Sequence, residues 1–105
     1  MFKTDYRCWM ITTYNLAAWM VPDTNIAFIA YQREATEFEK EHIQGYVEFK
    51  KTMYIPEIKA LFGDNTMHCE VRRTTRERCI DYVTKERTRV AGPWTFINNV
   101  IQIKQ

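Results

Sequence analysis

The chain has 105 residues, 46% of them hydrophobic, and its 15 Lys+Arg against 13 Asp+Glu leave a formal charge of +2. That length and apolar content fit one core, being too short for two and too apolar for disorder. The near balance of charge excludes a purely electrostatic nucleic-acid coat or a polybasic tail, though not a local basic surface.

Arg7 to Tyr14 is rich in β-formers and stops at Asn15, which predicts a strand. Leu16 to Val21 reads as a short helix halted by Pro22 and Asp23. Ile26 to Gln32 predicts a second strand, and a polar, acidic loop follows from Ala35 to Glu41. His42 to Lys50 alternates strictly, with Ile43, Gly45, Val47 and Phe49 on one face and His42, Gln44, Tyr46 and Glu48 on the other. Ile55 and Pro56 open a helix that ends at Gly63, Asp64 and Asn65. Met67 to Arg73 is a fourth strand. Thr74, with Glu77 three residues on, matches a capping box for a helix to about Glu86, with cations gathered at its far end. After Gly92 and Pro93, Trp94 to Ile97 and Val100 to Ile103 are predicted strand segments. The order specifies an α+β, ferredoxin-like sandwich: a central antiparallel sheet of about five strands with helices packed on it, one domain over residues 1–105.

No segment approaches the roughly 18 apolar residues of a membrane span, and the first residues lack a signal-peptide core. Three cysteines, Cys8, Cys69 and Cys79, without paired spacing predict an intracellular chain with reduced thiols. The charges are segregated along the chain. Residues 31–48 hold five acids and two bases, whereas residues 72–89 hold seven bases and three acids. Such a chain either presents two solvated faces or holds a cation at one place and a polyanion at another.

His42 and Gln44, two apart on a strand, point the same way, so an imidazole and an amide oxygen can converge on one cation. Glu34, at the end of the preceding strand, adds a hard anionic oxygen. The set suits Mn²⁺ or Mg²⁺ better than structural zinc. Spacing alone fits the exposed polar face of an ordinary strand better than a metal site. On the last helix Cys79, Ile80 and Val83 form an apolar stripe with Tyr82 at its edge. Lys85 stands one turn on and Arg78 one turn back. A phenol is a weak nucleophile at neutral pH, and cations that favour phenolate, with a metal to polarise the electrophile, would activate it. Taken alone, Tyr82 is also an ordinary core-edge aromatic. His68 and Cys69 lack the paired spacing of a zinc site and read as strand residues.

Together these residues resemble the replication initiator (Rep) proteins of small circular single-stranded DNA viruses, in particular the endonuclease domain of the nanovirus and circovirus type. Cys8-Trp9-Met10-Ile11-Thr12-Thr13-Tyr14-Asn15 is similar to the family's first motif, with Thr13-Tyr14-Asn15 where Leu-Asn-Asn is more usual. His42-Ile43-Gln44-Gly45-Tyr46 resembles the second motif, in the form where Gln replaces the second His of the HUH pattern. Asp81-Tyr82-Val83-Thr84-Lys85-Glu86 resembles the third, Tyr-x-x-Lys. Tyr31-Gln32-Arg33-Glu34 and Gly92-Pro93-Trp94 are also nanovirus-like.

The resemblance implies a rolling-circle nickase. Glu34, His42 and Gln44 would hold Mn²⁺ or Mg²⁺. Tyr82 would attack the scissile phosphate, leaving a 3′-OH primer and a 5′-phosphotyrosyl link that a later 3′-OH reverses. Lys85 would position phosphate or Tyr82 and steady transition-state charge. The partner would be single-stranded DNA of an origin hairpin, in the host cell nucleus, with room for self-association of a full-length protein and for host replication factors. Candidate DNA contacts are Thr13, Tyr14, Asn15, Lys50, Lys51, Arg72, Arg73 and Arg76, with Tyr14, Tyr46 and Trp94 as stacking platforms. The chain has no G-x-x-x-x-G-K-[ST] loop, so the expectation is the N-terminal endonuclease segment of a longer protein. Two alternatives stand beside this one. A non-catalytic single-stranded nucleic-acid-binding module would need aromatics on the central strands, and a plasmid or transposon initiator would share the chemistry.

Overall fold

The computed structural model describes residues 4–16 and 24–98. Its elements run β1 (Cys8–Thr13), β2 (Ile26–Glu34), β3 (His42–Phe49), α1 (Ile55–Phe62), β4 (His68–Val71), α2 (Arg76–Val83) and β5 (Arg89–Ile97). The five strands form one antiparallel sheet in the order β4-β1-β3-β2-β5. This is the expected α+β, ferredoxin-like arrangement, with β5 added outside β2. The expected Leu16–Val21 helix, apart from Leu16, and the Val100–Ile103 segment lie outside the described residues.

Alternation sorts the sheet into two faces, and each face has its own core. On one, Trp9, Ile11, Ile29, Val47 and Phe49 pack with Ile58 and Phe62 of α1. On the other, Cys8, Phe28, Ala30 and Tyr46 pack with Cys79 and Val83 of α2. The second face is the polar side of the His42–Phe49 alternation, yet His42, Gln44 and Tyr46 are all buried there. All three cysteines are buried free thiols, and burial pushes the Cys69 thiol up to about 11.

Helix ends follow their capping chemistry. Glu57 reaches back to accept the Tyr54 N–H, and Gly63 closes α1 in the left-handed conformation (φ 65°) that favours glycine. The cap of α2 is Thr75, whose hydroxyl accepts the Arg78 N–H, one residue later than the Thr74 expected. The helix also stops at Val83, short of Glu86, because side chains capture its outgoing carbonyls. Thr84 Oγ1 donates to Ile80 O, Arg89 Nη2 to Thr84 O and Gln32 Nε2 to Lys85 O.

Thr13 belongs to the α1 side of the sheet. It is 1% exposed, and its hydroxyl donates to Asp64 in the turn after α1. Burial alone would raise the Asp64 carboxyl, but hydrogen bonds from Thr13 and Thr66 outweigh it and hold the group below its ordinary value. The stability this adds is therefore present above about pH 4 and is lost as pH falls through the lowered folded value. Thr13→Val is expected to cost about 1–3 kcal/mol at pH 7 in urea denaturation. The deficit relative to wild type should shrink below about pH 4; one that stays constant from pH 7 to pH 3 contradicts this assignment.

Candidate active site

The β2–β3 register sets Glu34 opposite His42 and Gln32 opposite Gln44, so four polar side chains share the α2 face at one end of the sheet. None is more than 8% exposed. His42 Nε2 lies 3.7 Å from Glu34 Oε1, and Nδ1 lies 2.9 Å from the Lys40 carbonyl. A carbonyl can only accept, so Nδ1 donates to it and Nε2 is the ring nitrogen that faces Glu34. The same logic orients Gln44. Its Nε2 donates to Ile11 O at 3.3 Å, which leaves the amide oxygen to accept from Thr12 Oγ1 at 3.2 Å with a lone pair to spare.

Beside Gln32 and Glu34 stands the end of α2. Tyr82 is 53% exposed. The Lys85 ammonium sits 3.9 Å from the Tyr82 ring centroid and donates to Tyr82 O at 3.1 Å. It also donates to Glu34 Oε1 and Oε2 at 3.1 and 3.0 Å. One ammonium thus joins the tyrosine to the carboxylate.

Gln32 fastens both sides and was not singled out from the sequence. Fully buried, it donates from Nε2 to Glu34 Oε2 and to Lys85 O, both at 2.8 Å, and accepts Arg89 Nε at 3.0 Å. Arg89 is a second omission. The available signal for Gln32 was a polar amide directly after the apolar run 26–31, two residues before Glu34 and hence on its face.

The DNA-contact candidates separate. Tyr14 joins the site: its ring lies 5.2 Å from that of His42, and its hydroxyl donates to Glu39 at 2.5 Å. Asn15 donates its N–H to Thr13 Oγ1, while Thr13 itself points to Asp64 and serves the fold. Lys50, Lys51, Arg72, Arg73 and Arg76 gather at the other end of the sheet, roughly 20 Å from His42 along β3. There Arg76 pairs with Glu48 at 2.6 Å and Arg72 donates to Tyr46 OH at 3.0 Å. Tyr46 is 0% exposed and is therefore no stacking platform. Trp94 stacks on Tyr31, which packs against the α1-side core. The acidic and basic stretches are not two separate faces: Glu34–Lys85 and Glu48–Arg76 pair across them.

Residues 6–86 match the model of the viral replication protein family, Viral Rep. The chain belongs to this family. The Rep relatives are of the nanovirus type. The master replication protein of Banana bunchy top virus is 34% identical over 89 residues, 85% of this chain and 30% of the relative. That of Subterranean clover stunt virus is 36% identical with the same coverage. The Para-Rep C1 of Milk vetch dwarf C1 alphasatellite is 38% identical over 71 residues, 68% of this chain and 24% of the relative. The chain spans about a third or less of the length of these curated relatives. Every residue of the site but Arg89 falls inside the matched segment of this Rep chain.

Among the described residues no cluster of three His, Cys, Asp or Glu side chains occurs, so a cation here would need the Gln44 amide as a third donor. The donors fit that role. Glu34 and His42 are buried side by side, and the Nδ1–H bond to Lys40 O leaves Nε2 as the coordinating atom. One carboxylate, one amide oxygen and one imidazole make a mixed oxygen–nitrogen set of the kind Mn²⁺ and Mg²⁺ accept. No helix among the described residues is long and apolar enough to cross a membrane.

Proposed function

We propose that this chain nicks and rejoins single-stranded DNA at a viral replication origin. Tyr82 is the nucleophile, and Glu34, His42 Nε2 and the Gln44 carbonyl hold Mn²⁺ or Mg²⁺. The observation that carries this reading is the shared ammonium. Lys85 touches both the exposed Tyr82 and the buried Glu34, and so links the proposed nucleophile to one of the proposed metal donors.

The chemistry divides among the residues. Tyr82 Oη attacks the scissile phosphorus, the phenol gives up its proton, the P–O3′ bond breaks, and the 3′ oxygen leaves as a hydroxyl. The energy of the broken phosphodiester is kept in the phosphotyrosyl bond, which a later 3′-OH attacks to rejoin the strand. When bound, the cation supplies Lewis-acid polarisation and orientation of the phosphate. Lys85 stabilises the charge that develops on the phosphate oxygens. Tyr14 offers a base-stacking surface beside His42, and the distant arginines and lysines give the strand a track for its backbone. Such a substrate places the work in the host cell nucleus.

Gln32→Leu keeps the volume and removes the amide from Glu34, Lys85 and Arg89. It is expected to lower nicking about 10- to 100-fold, the usual scale for a residue that orients a metal ligand. Single-turnover rates at saturating Mn²⁺ check this, and a wild-type rate in folded protein contradicts it. The non-catalytic alternative loses its main support, because Tyr46 on the central strand is buried. The test of the whole reading is an end-labelled origin oligonucleotide incubated with Mn²⁺, with and without chelator. Cleavage that needs the metal supports it; binding without cleavage under any divalent cation overturns it in favour of a binding module.

A further inference from the structure

We propose that the Lys85 ammonium is a resident counter-ion of Glu34, and that a divalent cation must displace it. Metal loading then frees Lys85 for DNA phosphate beside Tyr82. The inference rests on the metal reading above and adds a coupling to it.

The Glu34 side chain is 5% exposed, and a carboxylate so far from water needs a countercharge. Lys85 supplies it, with its ammonium on both oxygens at 3.1 and 3.0 Å. The other polar neighbours do not. Gln32 is neutral, and His42 Nε2 stays 3.7 Å away, beyond hydrogen-bond distance, whereas the Lys85 ammonium is in direct contact. The ammonium therefore stands where a divalent cation on Glu34 would place its charge, and two cations cannot both sit against that carboxylate.

Lys85 is also built to leave. Its main chain is anchored without its side chain: Lys85 O is held by Gln32 and Thr84 O by Arg89. Its four-carbon stem can swing while that anchor holds. The ammonium already touches Tyr82, 3.9 Å from the ring centroid, so a short displacement leaves it on the nucleophile's side. Glu34 keeps its orientation throughout through Gln32 Nε2 on Oε2. Exchange is thus confined to one flexible side chain. Coupling of this kind is reciprocal: a DNA phosphate that draws Lys85 away must tighten metal binding by the same factor.

The test measures Mn²⁺ affinity directly, by electron paramagnetic resonance of free Mn²⁺, independent of cleavage. Lys85→Met is expected to bind Mn²⁺ about tenfold more tightly than wild type, because the competing charge is gone. Lys85→Arg, which retains the charge, should show no gain. Lys40→Met removes a nearby cation that does not touch Glu34, and should also show no gain. In the uncleaving Tyr82→Phe background, single-stranded oligonucleotide should raise Mn²⁺ affinity, and adding Lys85→Met should abolish that increase. As a check without substitution at Lys85, its ε-methylene NMR signal in the wild-type chain should shift on Mg²⁺ addition while that of Lys59 does not. If Lys85→Met binds Mn²⁺ no more tightly than wild type, or the Lys85 signal ignores Mg²⁺ while wild type binds metal, the displacement is wrong and the metal site stands. If wild type binds no divalent cation at all, the metal reading falls and the displacement falls with it.

Discussion

Tyr82→Phe is expected to abolish the covalent protein–DNA adduct and lower nicking by roughly 10⁴-fold or more, because the variant lacks the hydroxyl that forms the proposed covalent bond. The substitution is clean. Tyr82 is 53% exposed, and among the described residues its hydroxyl has no hydrogen-bond partner, so the fold does not depend on it. The ring that lies under the Lys85 ammonium is retained in Phe. Stability should stay within about 0.5 kcal/mol of wild type, as for surface substitutions that break no feature. Denaturing gel electrophoresis after incubation with labelled oligonucleotide and Mn²⁺ reads the outcome. A shifted, detergent-resistant band in Tyr82→Phe would move the nucleophile elsewhere.

His42→Ala is expected to reduce Mn²⁺-dependent nicking about 10²- to 10³-fold, through loss of a coordinating nitrogen rather than loss of the nucleophile. The signature is a raised metal requirement: activity should recover in part at high Mn²⁺, which Tyr82→Phe cannot do. His42 is 4% exposed, is packed by the Tyr14 ring and is bound to Lys40 O, so the alanine variant also opens a buried space. His42→Leu fills most of that space without a donor atom, which separates ligand loss from collapse. Unchanged metal dependence in a folded His42→Leu would remove His42 from the metal site.

Local rules made much of this site legible before any coordinates. Strand alternation put His42 and Gln44 on one face, and the loop before β3 brings Glu34 opposite His42, as the register shows. The helix-start and helix-stop residues around Pro56, Gly63 and Thr75 sit within a residue or two of the observed caps. What escaped was long-range. Gln32 meets Lys85 across 53 residues and Arg89 across 57, and nothing in a local window reports either meeting. Those contacts also explain why α2 ends early, since the carbonyls after Val83 find side-chain donors instead of further helix. Tyr46 and Thr13 are buried for a related reason. Tyr46 lies on the polar face of its strand and Thr13 came from the motif resemblance, but α2 covers one and Asp64 engages the other. Charge was misleading in the same way, because residues far apart in sequence neutralise one another in space.

The proposed function turns on the covalent joining of Tyr82 to a 5′-phosphate. It is tested most directly by mass spectrometry of the chain after reaction with a single-stranded origin oligonucleotide and Mn²⁺, followed by nuclease trimming and trypsin. The tryptic peptide from Cys79 to Lys85 contains Tyr82 and no other tyrosine. A nucleotide-sized mass increase is expected on that peptide, with fragmentation placing it on Tyr82, absent when chelator is added. Cleaved DNA with free 5′ ends and an unmodified Cys79 to Lys85 peptide would contradict it.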